Sequence, residues 1–399
     1  MLATDSIGVR MVFSRVEAGG READDDRVRL VLVGAGHVHI EILRRLILSR
    51  RRGVDLTLVS PAERHHYSGM VPGYLRGTYA EGEIAFDLPA LVRRAGGRFI
   101  RARASAVEPG ARRVRLEGEG GVHYDLVSFN VGSSPAGADS EAVRRHAALV
   151  RPMSGAVELH ARIRALARAP GGSTARVAVV GGGAAGVEVA CAIAAVLDRA
   201  GRSRRVSILE ASGAILPGYS ERFRRRAGLV LKRKGISVLT RRRALSVGAS
   251  RVEIEDGAAH ASDLTVWLGG AAAPPLFRDS GLAVDERGFL LVDDALRSIR
   301  DPRIFAAGDC ATLRSRPDTP KAGVYAVRQA PVLWRSIMAA LDGGTPPRYD
   351  PQRGFLSILN TADGRALLRY GALISHSRWA WILKDRIDRR FMSRYRRLT

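Results

Sequence analysis

Apolar and polar positions along this chain follow periods that switch at glycine clusters. Val28-Arg29-Leu30-Val31-Leu32-Val33 is nearly all apolar, the pattern of a buried strand. It runs straight into Gly34-Ala35-Gly36, after which Val38, Ile42, Leu43, Leu46 and Ile47 recur at helical spacing. A second apolar run, Leu56 to Val59, ends at Ser60-Pro61. This order predicts a βαβ unit with a glycine-rich first turn.

The order then repeats. Ala169-Pro170-Gly171-Gly172-Ser173 reads as a linker, and Val177-Ala178-Val179-Val180 as a strand. The turn is Gly181-Gly182-Gly183-Ala184-Ala185-Gly186, the helix is Val187 to Leu197, and the next strand is Val206 to Glu210. The two turns lie 147 positions apart. One such turn is a weak signal; two in the same strand–turn–helix–strand context are a strong one. Further on, Gly288 to Asp293 precedes a strand-like run, Ile304-Phe305-Ala306-Ala307, that ends in Gly308-Asp309. A helical stretch from Lys321 to Leu341 follows, interrupted by Pro331. Strand-like runs at Phe355–Leu359 and Ala366–Leu368 lead to an amphipathic segment from Arg378 to Thr399.

A Gly-x-Gly turn at a helix start lets backbone approach a pyrophosphate, and the helix N-terminus supplies free N–H groups. In the second unit Gly181, Gly183 and Gly186 fill all three glycine places. Glu210, at the end of the following strand, is placed to accept a ribose 2′-hydroxyl and to repel a 2′-phosphate, which favours NADH over NADPH. Arg204 and Arg205 stand nearby in sequence and argue the other way. In the first unit His39 replaces the third glycine, and Ser60 rather than an acid stands at the ribose position. Glu188, two residues past the last motif glycine, is a candidate for the nicotinamide side or a solvent-paired helix acid.

Composition narrows the options. Among 399 residues, 64 Lys plus Arg oppose 40 Asp plus Glu, a net charge of +24, and only four of the basic residues are lysines. Such a balance points to nucleic acid, an anionic surface or anionic small molecules. No DNA- or RNA-binding module accompanies it, so nucleic acid is not expected. Residues 1–27, with net charge −2, read as a flexible leader. No long apolar span or secretory signal is read, which predicts a cytoplasmic, soluble or peripheral protein.

Cys191 and Cys310 are the only cysteines and lie 119 positions apart, which excludes a CxxC redox pair and a zinc-ligand cluster. His37, His39, His65 and His66 read as turn-forming or cofactor-contacting residues, and no metal site is expected.

Taken together these residues resemble the FAD-dependent pyridine nucleotide-disulfide oxidoreductases with two Rossmann-like domains, in particular those like type II NADH:quinone oxidoreductases. The subgroup also found fused in front of selenide, water dikinase is similar. The resemblance is carried by Gly34-Ala35-Gly36-His37-Val38-His39, Tyr67-Ser68-Gly69-Met70-Val71-Pro72-Gly73 and Val131-Gly132-Ser133-Ser134-Pro135. It continues through the Gly181–Gly186 turn, Gly270-Ala271-Ala272-Ala273-Pro274-Pro275, Phe305 to Asp309, and Lys321 to Gln329, and ends at Lys384 to Met392.

It implies an α/β fold of two Rossmann-like dinucleotide-binding domains, the second inserted in the first, with a small C-terminal region. FAD would be held by 28–148 and 282–345, NADH by 149–281, and 346–399 would carry the basic amphipathic helix. Gly34, Gly36, His37, His39, Ser60, Gly132, Gly308 and Asp309 would serve FAD. Gly181, Gly183, Gly186, Glu210 and Gly270 would serve NADH. Lys321, Tyr325 and Gln329, with Glu188, are the candidates at the flavin or its acceptor. Leu268-Gly269-Gly270 departs from the family's more common Ala-Thr-Gly.

Disulfide reductases and sulfide:quinone reductases of this architecture need cysteines beside the flavin, and the two present are both read as structural. The expected activity is therefore transfer from NADH through flavin to a quinone-like acceptor without a redox disulfide. Alternatives are a sulfide:quinone reductase-like or ferredoxin reductase-like flavoprotein, or a non-catalytic dinucleotide-binding regulator. In the last segment Trp379, Leu383, Ile387, Phe391 and Tyr395 recur at i+4, with a segment charge of +6. This suits peripheral binding to an anionic inner membrane face, or docking on the protein's own core or on a second subunit of a homodimer.

Overall fold

The strand Val28–Val33 forms the middle of a five-stranded parallel sheet, ordered Ile304–Ala306, Leu126–Phe129, Val28–Val33, Val54–Val59, Arg98–Ile100. The structure is a computed structural model that describes residues 27–118, 120–170 and 172–399. All of the expected leader except Arg27 lies outside the described residues. A second five-stranded parallel sheet has Ala175–Val180 in its middle, ordered Ala147–Leu149, Leu264–Trp267, Ala175–Val180, Arg204–Glu210, Ile236–Thr240. Each middle strand runs into a glycine turn and then a helix, His37–Ser49 in one and Ala184–Arg199 in the other. Both middle strands are buried along most of their length, as a parallel sheet covered on both faces requires.

The chain leaves the first sheet at Phe129, builds the second, and returns to the first at Ile304. Ala147–Leu149 already pairs with Leu264–Trp267, so the second sheet begins two residues before position 149. Where the chain crosses, Ser134–Pro135 pairs antiparallel with Ala271–Ala272, and the Trp267 indole donates to the Ala136 carbonyl at 2.7 Å. A Cβ at Gly269 would lie 2.6 Å from the Ala136 oxygen, so this close crossing favours the glycine found there.

The helix from the Lys321 region spans Gly323–Asp342 and continues through Pro331, which corrects the expected interruption. A proline removes one donor, but the flanking turns here stay helical, and the helix ends only at Gly343 in the left-handed region. The C-terminal region is an antiparallel sheet of Ser357–Asn360, Ala366–Tyr370 and Leu373–Ser377, followed by the helix Arg378–Arg396. Ser377 caps that helix by accepting the Ala380 amide at 3.3 Å.

The i+4 stripe expected on this helix does not form one face. At 3.6 residues per turn each i+4 step drifts about 40°, so Trp379 and Tyr395 are about 160° apart around the axis. Trp379 is 48% exposed and Tyr395 only 2%. The buried face is Ala380, Lys384, Asp388, Met392 and Tyr395. Lys384 Nζ donates to Asp388 and to the Gly69 carbonyl, both at 2.9 Å, and Tyr67 donates to Asp388 at 3.2 Å. Phe391 stacks on Tyr67 at 4.3 Å. The helix is therefore docked on its own chain, with Trp379, Ile382 and Ile387 left outside.

Candidate functional site

Around the first glycine turn the central residue is Asn130, at the end of the strand Leu126–Phe129. Its Oδ1 accepts the Val38 amide at 3.0 Å and its Nδ2 donates to the Ala307 carbonyl at 2.6 Å. Its backbone carbonyl accepts the Gly36 amide at 3.2 Å. A Cβ at Gly34, where φ is +87°, would lie 2.6 Å from the Asn130 carbonyl oxygen, and one at Gly36 would strike the Asn130 side chain. A Cβ at Gly308 would lie 2.6 Å from Asn130 Nδ2. One asparagine thus ties the first turn to Gly308-Asp309, at the point where the chain switches direction across the sheet, the usual ligand crevice of such sheets. The sequence reading missed Asn130; its place directly before Val131-Gly132-Ser133 was the available signal.

His39 is fully buried, with Nδ1 2.6 Å from the Gly34 carbonyl and Nε2 2.8 Å from Ser128 Oγ. It braces the turn from beneath. Burial lowers its pKa to about 4, so the ring is neutral. His37 opens the helix and meets His65, Tyr67 and Phe391 at ring distances of 5.3, 5.6 and 5.7 Å. Burial lowers it to about 4 as well, against the attraction of Asp309. Ser60 closes its own strand end, donating to the Ala62 carbonyl at 3.0 Å.

Asp309 is held by Arg151, 3.2 Å away, which also donates to Ser133 at 2.9 Å. Gln329 is buried and its Oε1 accepts the Gly308 amide at 2.6 Å, fixing the Gly-Asp turn from the long helix. Tyr325, one turn earlier, is buried against Phe355 at 5.8 Å. Lys321 turns the other way. Its Nζ donates to the Ala311 carbonyl and, at 2.8 Å, to Thr312, and sits over the Phe289 ring at 4.2 Å. Asp309, Tyr325, Gln329 and Lys321 all line one small cavity.

At the second turn Gly181 has φ +104°, and a Cβ there would strike the Leu268 carbonyl. A Cβ at Gly186 would strike the Gly181 carbonyl, so the third glycine lets helix and turn pack. Gly183, by contrast, faces open space. Glu210 is buried, with one oxygen accepting the Gly182 amide and the other the Ser212 amide, each at 2.7 Å. Each oxygen keeps a lone pair for a hydroxyl donor.

Glu188, in the helix after this turn, accepts the Asn360 amide at 2.7 Å. Burial pushes its carboxyl up to about 7, opposed by Lys384. It is thus not solvent-paired, but ties the helix Ala184–Arg199 to the strand Ser357–Asn360.

The residues fit a dinucleotide at each turn. Gly132, Gly183, Gly270 and Gly323 would admit a Cβ without contact, and His65 Nε2 is buried beside the first turn without a hydrogen-bond partner. None of the helices His37–Ser49, Ala184–Arg199 and Gly323–Asp342 carries an acid in its first turn, so their positive ends stay available to anions. Both cysteines are fully buried free thiols, pushed by burial up to about 12 at Cys191 and about 11 at Cys310. Among the described residues no three His, Cys, Asp or Glu side chains converge as metal ligands, and no helix is long and apolar enough to cross a membrane.

The profile of a family described as pyridine nucleotide-disulphide oxidoreductase matches residues 28–330. Demethylphylloquinone reductase NdbB of Synechocystis is 26% identical over 365 residues, covering 88% of this chain and 89% of that protein. The type II NADH:quinone oxidoreductase NdhA of Mycobacterium tuberculosis is 23% identical, covering 92% of this chain and 84% of its own. NDH2 of Plasmodium falciparum, solved in complex with NADH, superposes with a TM-score of 0.80 at 15% identity, covering 93% of this chain and 96% of that one. The sulfide:quinone oxidoreductase of Aquifex aeolicus gives 0.78 at 16% identity, covering 93% and 92%.

Proposed function

The chain belongs to the pyridine nucleotide-disulphide oxidoreductase family, and within it we propose an FAD-dependent NADH:quinone oxidoreductase that works without a redox-active disulfide. The observation that carries this reading is the pair of glycine turns, with open space at Gly183 in the second and at Gly132 beside the first, in a chain whose two thiols are buried and far from ionised. The quinone acceptor is supported by the relatives named above, demethylphylloquinone reductase and type II NADH:quinone oxidoreductase.

A flavin bound here would supply two-electron transfer between a nicotinamide and the quinone. The protein's part is to bind, orient and supply protons. Residues 28–148 and 282–345 would hold FAD, with the Gly34–Gly36 turn serving its pyrophosphate and Asp309 its sugar chain. The N-terminus of Gly323–Asp342 would offer its partial positive charge to negative charge on a flavin held here. Residues 149–281 hold NADH, with Glu210 accepting the ribose hydroxyls. Tyr325 and Gln329 line the acceptor side, and Lys321 supports that wall through Thr312. Glu188, two residues past the second turn and held by the Asn360 amide, is the candidate acid on this side of the site.

The C-terminal helix binds an anionic membrane surface through its outer face, where Trp379, Ile382 and Ile387 stand exposed among Arg378, Arg386 and Arg390. Its inner face is engaged with the protein, so docking and membrane contact use opposite sides of one helix. Anaerobic addition of NADH to the purified protein, followed by a panel of acceptors, tests the reading; a colourless protein counts against it.

A further inference from the structure

The sequence raised Arg204 and Arg205 as cations that compete with Glu210 over the nucleotide's 2′ position. The structure places them elsewhere. Both open the strand that Glu210 closes, five or six residues away, or about 17–20 Å along an extended chain. Arg204 is also held by Asp198 at 2.6 and 2.7 Å and by the Lys234 carbonyl at 2.8 Å.

The cation at the Glu210 end is Arg241. Thr240 is the register partner of Glu210 in the neighbouring strand, and the chain then turns back over it. The Arg241 amide donates to the Ser212 carbonyl and the Arg242 amide to the Glu210 carbonyl, both at 2.9 Å. Arg241 Nε lies 4.0 Å from where a Gly213 Cβ would stand. The residue occupies the left-handed region, φ +55°, unusual for an arginine. Its neighbours are occupied, Arg242 by Asp256 and Arg243 by Glu255. Among the described residues Arg241 has no carboxylate within ion-pair distance, and it is exposed.

We propose that Arg241 is a specificity-determining residue that binds the 2′-phosphate of NADPH, so that this site admits NADPH beside NADH. Glu210 alone accepts a hydroxyl and repels a phosphate. A guanidinium on the other side of the same short turn offsets that repulsion through charge-assisted hydrogen bonds. With NADH the arginine has no phosphate to bind, and Glu210 takes the ribose hydroxyls. The inference rests on the reading of 149–281 as the nucleotide domain.

The test uses binding rather than turnover: calorimetric titration of the full-length protein with adenosine 2′,5′-bisphosphate and with 5′-AMP. Arg241→Gly removes the cation and suits the left-handed backbone, so its fold is preserved. It is expected to weaken the bisphosphate about tenfold more than it weakens AMP, the loss of one charge-assisted contact. Arg241→Lys restores part of that difference, and Glu210→Gln strengthens the bisphosphate relative to AMP. Equal weakening of both fragments by Arg241→Gly, or no weakening of either, overturns the assignment while leaving the nucleotide site in place. Failure of wild type to bind either fragment overturns the nucleotide-site reading and this proposal with it.

Discussion

The side-chain oxygen of Asn130 accepts the Val38 amide at 3.0 Å, capping the helix whose first turn bears the pyrophosphate-binding geometry. Its nitrogen meanwhile donates to the Ala307 carbonyl at 2.6 Å. Asn130→Ala removes both bonds and leaves the buried Ala307 carbonyl with only the weak Cys310 thiol donor, 3.4 Å away. It should cost about 2–3 kcal/mol in urea unfolding and release flavin on gel filtration. Wild-type stability with flavin retained would contradict the role given to this side chain.

The glycines of the second turn separate packing from binding. Gly183 faces open space, so Gly183→Trp should keep the fold and the flavin while reducing NADH-driven flavin reduction by on the order of a hundredfold. Gly186→Ala puts a methyl group into the Gly181 carbonyl and should lower the melting temperature instead. If both variants lost only activity, Gly186 would have to be a binding rather than a packing residue.

Glu188 gives a pH signature. Its carboxyl is raised from 4.5 to about 7, so across that window the folded protein holds a proton that the unfolded chain has released. Stability therefore falls as pH rises from about 4.5 to about 7, by about 3 kcal/mol in all. Glu188→Gln lacks this slope. Urea unfolding of the two proteins on either side of the window should show the gap; parallel profiles would mean that Glu188 is hydrated.

The outer face of the last helix can be altered without touching its docked side. Trp379 and Ile382 are 48% and 45% exposed, so Trp379→Glu with Ile382→Glu should leave the melting temperature nearly unchanged. Partitioning onto anionic vesicles should fall roughly tenfold or more. Unchanged partitioning would remove the membrane assignment. Deleting 378–399 is a poorer probe, because it also uncovers Tyr67, Gly69 and Tyr79, which meet this helix at Asp388, Lys384 and Asp385.

Much of this was legible in the sequence where local chemistry decides structure. Both glycine turns, the strands before them and the Gly308-Asp309 strand end are dictated by glycine φ angles and apolar runs. Long-range relations were less legible. Asn130 meets the first turn 92 positions away, and only its place directly before Val131-Gly132-Ser133 hints at it, not at the Val38 amide it caps. The strand Leu373–Ser377 contains Ser375, His376 and Ser377, so no apolar run announced it. The C-terminal helix was found, but its buried face was not. Lys384 and Asp388 look like surface charges until Gly69 and Tyr67 supply their partners.

The proposed function requires electrons to pass from NADH through bound flavin to a quinone with no thiol involved. The most direct measurement is an anaerobic titration of the flavin absorbance with NADH, then with a soluble quinone, before and after exhaustive thiol alkylation. NADH is expected to bleach the flavin, quinone to restore it, and alkylation to change neither step. Loss of either step on alkylation of the folded protein, or recovery with a disulfide but not with quinone, would contradict it.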